Sequence, residues 1–226
     1  MSLKSRLIVQ SVFSLALLAL AFFLPAGTFH YWQAWVFIAI VYIPMVIFAA
    51  YFYQHDRALL ERRMQRKEKV KEQKWIMRLV TIVTFGGLLI PGLDHRFGWT
   101  RQLTGGVPLW LEIPAQVLVA SGYLMTMWVI NVNRFAARTI QVEQGQHVIS
   151  TGPYRLVRHP MYSGAVLMWL AAAPALGSWV ALPFCALLLP VMALRLLNEE
   201  KVLQKELPGY TEYCEKTRHH LIPYVW

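Results

Sequence analysis

Charge is scarce in this chain, and its scarcity is the first constraint. Only 15% of the 226 residues are Asp, Glu, Lys or Arg, against 57% hydrophobic, with a mean hydropathy of +0.41. Such a balance excludes an ordinary soluble domain and describes a polytopic membrane protein. Cysteine is nearly missing: Cys185 lies in an apolar run and Cys214 near the end. Two cysteines so placed offer neither a disulfide framework nor metal-ligand spacing. No internal repeat or low-complexity tract is present, and the spans lack the buried polar residues and inverted halves of a transporter. Acids are outnumbered by bases, 12 to 22, for a formal charge of +10. In a soluble protein that excess would point to nucleic acid; here its distribution along the chain explains it.

What is present is a series of apolar runs. A membrane span needs about 20 apolar residues, and Leu7–Leu24, Trp32–Tyr53, Ile76–Leu93 and Val107–Val132 meet that requirement. Lys4 and Arg6 ahead of the first run resemble a signal-peptide flank, but the run is too long for a signal core and reads as a retained span. Gly86-Gly87 predicts close helix contact in the third span, and Glu112 near the start of the fourth is expected to reach the interface. Met161–Ala173 holds only 13 residues, about 20 Å of helix. With Ser178–Leu197 it reads as a helical hairpin in which one arm need not cross fully. The expected fold is therefore all-α, a bundle of five to six spans. Residues 1–106 would form N-terminal helices with a basic loop at 54–74, and residues 107–226 a separate core.

Twenty of the 22 Lys and Arg fall on the face holding the N-terminus, Gln54–Arg78, Asn133–Pro160 and everything from Arg195 on; only Arg96 and Arg101 fall on the other. By the positive-inside rule both termini are expected to be cytoplasmic. Tyr31, Trp32, Trp99 and Trp110 at span ends fit an interfacial belt.

Between two apolar runs lies Gly152–Gly164, GPYRLVRHPMYSG. It is rich in turn formers, and Pro160 biases His159 away from helix. It gathers Tyr154, Arg155, Arg158, His159 and Tyr162, a set suited to an anionic and partly aromatic ligand; the alternative is a connector anchored at lipid headgroups. Further along, Arg195 and Glu199 are four apart and share one helical face. They could be an ordinary ion pair, yet charges at a membrane edge are functional candidates by default. Tyr210 and Tyr213 are placed to pack an amphipathic tail onto the bundle.

RHPMY with a trailing Gly, the lead-in GQHVISTGPY, then NEE and PGYTEY together resemble the isoprenylcysteine carboxyl methyltransferases. Their superfamily includes phospholipid methyltransferases and many bacterial relatives. The resemblance covers roughly Asn131 to Pro223. It implies an integral membrane methyltransferase without a Rossmann domain, in a bacterial inner membrane, binding S-adenosylmethionine in a cytoplasmic pocket formed by the C-terminal half. The implied donor contacts fall on Gln141, on Gln146, His147, Val148 and Ile149, on Tyr154, on His159, Pro160, Met161 and Tyr162, and on Glu199. Arg195 would hold the acceptor; Arg158, read from the residues themselves, is the second catalytic candidate. The lead-in between Gln141 and Gly152 is one residue shorter than in the eukaryotic enzymes. The residue chemistry agrees: Glu199 can accept from an amine or ribose hydroxyl, Arg158 and His159 can bind a carboxylate, and a tyrosine can face a sulfonium. His159 has no partner at metal-ligand spacing, so no metal is expected.

The acceptor implied is a lipid or lipidated group, first of all a carboxylate such as isoprenylcysteine, with a phospholipid amine as the alternative. A second enzyme class is an NADPH-dependent sterol or steroid reductase, which shares a similar C-terminal arrangement. Those enzymes tend to carry an acid directly after the glycine, where this chain reads Gly164-Ala165.

Overall fold

The computed structural model describes residues 2–64, 71–135, 142 and 145–226, with residues 71–74 described by backbone alone. The described elements are helical: α1 (Leu3–Ala26), α2 (Trp32–His55), α3 (Arg57–Met64), α4 (Lys71–Phe97), α5 (Trp99–Thr104), α6 (Leu109–Val132), a 3-10 turn at Gly152–Arg155, α7 (Pro160–Ala175), α8 (Leu182–Ala186), α9 (Leu188–Glu206) and α10 (Tyr210–Lys216). Among the described residues, five helices are long and apolar enough to cross a membrane: Leu3–Ala26, Trp32–His55, Trp75–Phe97, Leu109–Val132 and Leu182–Glu206. This is the all-helical membrane bundle expected. The short arm of the hairpin is α7, whose 16 residues make about 24 Å of helix.

Lipid cannot drive helices together by the hydrophobic effect, so close contact relies on small residues. The tightest crossing joins α6 to α7. A Cβ on Gly122 would sit 2.5 Å from the Gly164 carbonyl oxygen, and one on Gly164 would sit 2.7 Å from that of Gly122. A second crossing joins α1 to α4 at Gly92, where a Cβ would lie 2.6 Å from the Phe22 carbonyl oxygen. The expected contact at Gly86-Gly87 is looser: Gly87 faces Trp169 and Cys185 at ordinary van der Waals distance.

At the end of the bundle holding Arg96 and Arg101, two expectations are corrected. Glu112 does not reach the interface. It is buried and accepts from Gln33 Nε2 at 3.3 and 3.2 Å, because α2 lies against the start of α6. Tyr31 is no belt residue either: it is fully buried, donates to the Leu176 carbonyl at 2.6 Å and stacks on His95 at 4.2 Å between centroids. Trp32, Trp99 and Trp110 stay exposed. The stretch between the third and fourth spans is folded as well. Asp94 accepts from the Thr100 amide at 2.7 Å and from the Thr100 and Ser178 hydroxyls, tying α5 to the α7–α8 turn. At the other end, the last span runs on to Glu206. Arg195 is therefore well inside α9, about 16 Å of helix from its C-terminus.

Candidate functional site

The end of the bundle opposite Arg96 and Arg101 is hollow. A cavity of about 390 Å³ opens where α3, α4, α7, α9 and α10 converge with the segment 146–149 and the 3-10 turn. That volume lies within the roughly 300–1,000 Å³ of small-molecule sites. Its inner wall is apolar, from Met77 and Val80 of α4 and Met192 of α9, and its outer wall is polar and aromatic.

Local sequence explains how each wall is built. Pro153 starts the 3-10 turn and Pro160 occupies the first turn of α7, where its missing N–H costs nothing. The intervening Arg158-His159 segment is thus held out of helix and points side chains at the cavity. On α9, Arg195 and Glu199 are one turn apart and both line it. They do not simply face one another: the Tyr162 hydroxyl stands between, accepting from Arg195 Nε at 2.9 Å and donating to Glu199 Oε2 at 2.6 Å. This places a guanidinium, a phenol and a carboxylate in series along α9 towards its C-terminal end.

The aromatic wall is similarly fixed. Tyr154 accepts from Asn133 Nδ2 at 2.8 Å, and its own backbone carbonyl accepts from the Tyr213 hydroxyl at 2.8 Å. Burial pushes the Tyr154 phenol up to about 12, only partly offset by the Asn133 bond, so it meets any ligand as a neutral ring. Burial likewise raises Tyr210 and Tyr213, both of which line the cavity and pack with Leu207. Both tyrosines pack the tail onto the bundle as expected, and each presents a face to the cavity as well.

Of the residues expected to contact the donor, the cavity wall gathers Gln146, His147, Val148, Ile149, Tyr154, His159, Met161, Tyr162 and Glu199. Pro160 is fully buried and shapes the turn rather than the wall. Gln141 lies outside the described residues. Arg195 and Arg158 are both on the wall, and Arg158 is also ion-paired to Glu200 at 3.1 Å. Sequence reasoning missed Arg63 on α3, Met77 and Val80 on α4, and Phe135, all of them lining residues. It also gave no role to Glu200, which is buried and lies within 3.0 Å of His159 Nε2. The adjacent charge at position 199 was the only signal, and it drew attention away.

Among the described residues no group of His, Cys, Asp and Glu is arranged to hold a metal ion. What the arrangement can do is bind a ligand with an aromatic base, an ammonium or hydroxyl for Glu199, and an anionic group for a guanidinium. A second ligand can meet it from the apolar side, near Arg195.

Residues 111–208 match the model of the phospholipid methyltransferase family. The match runs from α6 to the end of α9, taking in the RHPMY segment, Arg195 and both glutamates. It stops short of α10 and leaves out α1–α5. A mouse (Mus musculus) Delta(14)-sterol reductase is 34% identical over 94 residues, 39% of this chain and 22% of that protein. The chain thus spans about a fifth of the length of that curated relative.

Proposed function

We propose, from the premise that residues 111–208 are of the phospholipid methyltransferase family, that this chain transfers a methyl group from S-adenosylmethionine to a lipid or lipidated acceptor. The observation that carries the reading is the graded cavity wall. Donor-suited groups line its outer part (segment 146–149, Tyr154, His159 and Glu199), and Arg195 lies one turn further into the membrane, beside Met77 and Met192. Residues of this kind fit the donor. Glu199 would accept from its ammonium or ribose, His159 and Arg158 would bind its carboxylate, and the tyrosines would face the sulfonium.

When bound, S-adenosylmethionine supplies an electrophilic methyl carbon. The chain's task is then mainly to hold donor and acceptor in line at near-attack distance. A carboxylate acceptor is already anionic and needs no base; at the edge of a low-dielectric bilayer it needs a cation. Arg195 fills that need, so a lipidated carboxylate such as isoprenylcysteine is the acceptor class we assign. The Lys and Arg distribution supports a cytoplasmic position for the cavity, and the domain reading follows as residues 1–106 covering a core at 107–226. The test is transfer from labelled S-adenosylmethionine to prenylcysteine analogues and to phosphatidylethanolamine. Wild type should label the former, and Arg195→Ala should lose most of that activity at near-normal donor affinity, with Arg195→Lys recovering only part. Robust labelling of phosphatidylethanolamine by Arg195→Ala would refute both the role and the acceptor class.

One observation favours a second reading, reduction of a sterol-like double bond: the similarity to the Delta(14)-sterol reductase. Against it stand Ala165 in place of an acid and a cavity near the small end for a dinucleotide. Oxidation of NADPH in the presence of a sterol diene would favour it.

A further inference from the structure

Glu200 follows Glu199 directly, yet it points elsewhere. Successive helical residues do not share a face, and Glu200 is absent from the cavity wall and only 7% exposed. Its carboxylate is committed to three groups from two other segments. Oε1 lies 3.0 Å from His159 Nε2 and 3.1 Å from Arg158 Nε, and Oε2 lies 3.2 Å from His220 Nε2. Arg158 Nη2 also contacts His220 Nε2, and the Tyr210 hydroxyl is 3.4 Å from His159 Nε2.

His220 belongs to the tail that follows α10, beyond the stretch matched to the family. This tail runs alongside the cavity-lining segment and bonds to it through the backbone. The Arg158 amide donates to the His219 carbonyl at 2.9 Å, the His159 amide to the His220 carbonyl at 3.0 Å, and the Ser163 hydroxyl to the Leu221 carbonyl at 2.6 Å. The tail is in turn closed on itself: Leu221 and Ile222 amides donate to the Trp226 carbonyl at 2.9 and 3.0 Å, and the His220 ring stacks on Trp226. Both Arg158 and His159, the two residues suited to a carboxylate, are therefore held from behind by one buried acid and one strap of chain.

We infer that Glu200 and His220 are positioning residues: acting together, they set the depth and orientation at which Arg158 and His159 meet the methyl donor. The inference rests on the methyl-transfer reading. Its physical basis is that the largely buried Arg158 guanidinium needs an anionic partner, which Glu200 supplies at 3.1 Å. Without Glu200 it would turn to the carboxylate on the cavity wall, Glu199, and compete there with the donor. Removing His220 frees Glu200 Oε2 and loosens the same segment from the tail side. Neither change reaches Arg195 or the inner wall, so the loss should fall on donor binding and spare the chemical step.

The experiment measures donor affinity by calorimetry, and kcat and KM for S-adenosylmethionine, in full-length wild type, Glu200→Ala, Glu200→Gln, His220→Ala and the Glu200→Ala/His220→Ala pair. The expected result is a rise of about tenfold in Kd and KM in each single alanine variant, with kcat at saturation within roughly threefold of wild type. The double variant should be no worse than the poorer single, as for residues acting on one segment, and Glu200→Gln should recover part of the loss. Should Glu200→Ala fail to fold, His220→Ala and Glu200→Gln carry the test, since each leaves most of the contacts in place. Wild-type donor affinity in His220→Ala, or a fall in kcat at unchanged Kd, overturns the inference while leaving the functional reading standing. Absence of donor binding by wild type overturns the functional reading, and this inference with it.

Discussion

Replacing Tyr162 by Phe is the sharpest perturbation of the site, because it removes one oxygen and nothing else. That oxygen accepts from Arg195 at 2.9 Å and donates to Glu199 at 2.6 Å. Each bond has a charged partner, and such bonds contribute about 1.5–3 kcal/mol apiece. The two losses do not add in full. Arg195 and Glu199 are one helical turn apart and can close on each other once the hydroxyl is gone, which restores one charged contact. The net cost is then about one charged hydrogen bond, roughly tenfold to a hundredfold in kcat/KM. It should appear in both substrates, because a direct Arg195–Glu199 pair withdraws the carboxylate from the donor and the guanidinium from the acceptor together. Calorimetric titration with S-adenosylmethionine and steady-state kinetics with each substrate varied would measure it. Kd and kcat/KM within twofold of wild type would show that the Arg195–Tyr162–Glu199 series is not part of the working site.

Three further outcomes are expected. Gly122→Leu should unfold or sharply destabilise the protein, because even a Cβ there meets the Gly164 carbonyl oxygen at 2.5 Å, whereas Gly105→Ala, with open space around it, should be tolerated apart from its backbone strain; thermal unfolding in detergent would decide. Burial lowers the pKa of His220 below its ordinary 6.5, so the folded state favours the neutral ring; that contribution is present above 6.5 and lost as pH falls through the depressed value, and His220→Ala should flatten the decline in melting temperature on acidification. A cysteine introduced at position 145 should resist an impermeant reagent applied outside intact cells, while one at position 101 should react, and the reverse pattern would invert the membrane orientation.

The spans were legible because a run of apolar residues long enough for a bilayer has few other uses. Part of the cavity wall was legible because Tyr154, His159 and Tyr162 crowd one turn-rich segment between apolar runs and Glu199 is a charge at a span's edge, whereas Val148 and Ile149 entered only through the family resemblance. What could not be read is which way neighbouring polar residues point. Glu199 and Glu200 are alike as letters, but the helix turns between them, and one faces the cavity while the other is buried against Arg158, His159 and His220. His220 sits in a short polar tail with no periodicity, indistinguishable from a solvated terminus until its backbone contacts are seen. Glu112 and Tyr31 lie near span ends and so read as interfacial; their burial depends on Gln33 and Leu176, which are distant in sequence. The same applies to Gly92 against Phe22, and to Arg63, which enters the cavity wall only because α3 folds back beneath α2.

Direct binding tests the central claim most closely: purified full-length protein in detergent, titrated separately with S-adenosylmethionine and with NADPH, alongside Glu199→Ala. A donor cavity should bind S-adenosylmethionine saturably, show at least about a tenfold weaker affinity in Glu199→Ala, and give no heat with NADPH. Saturable binding of NADPH with none of S-adenosylmethionine would contradict the account and favour the reductase.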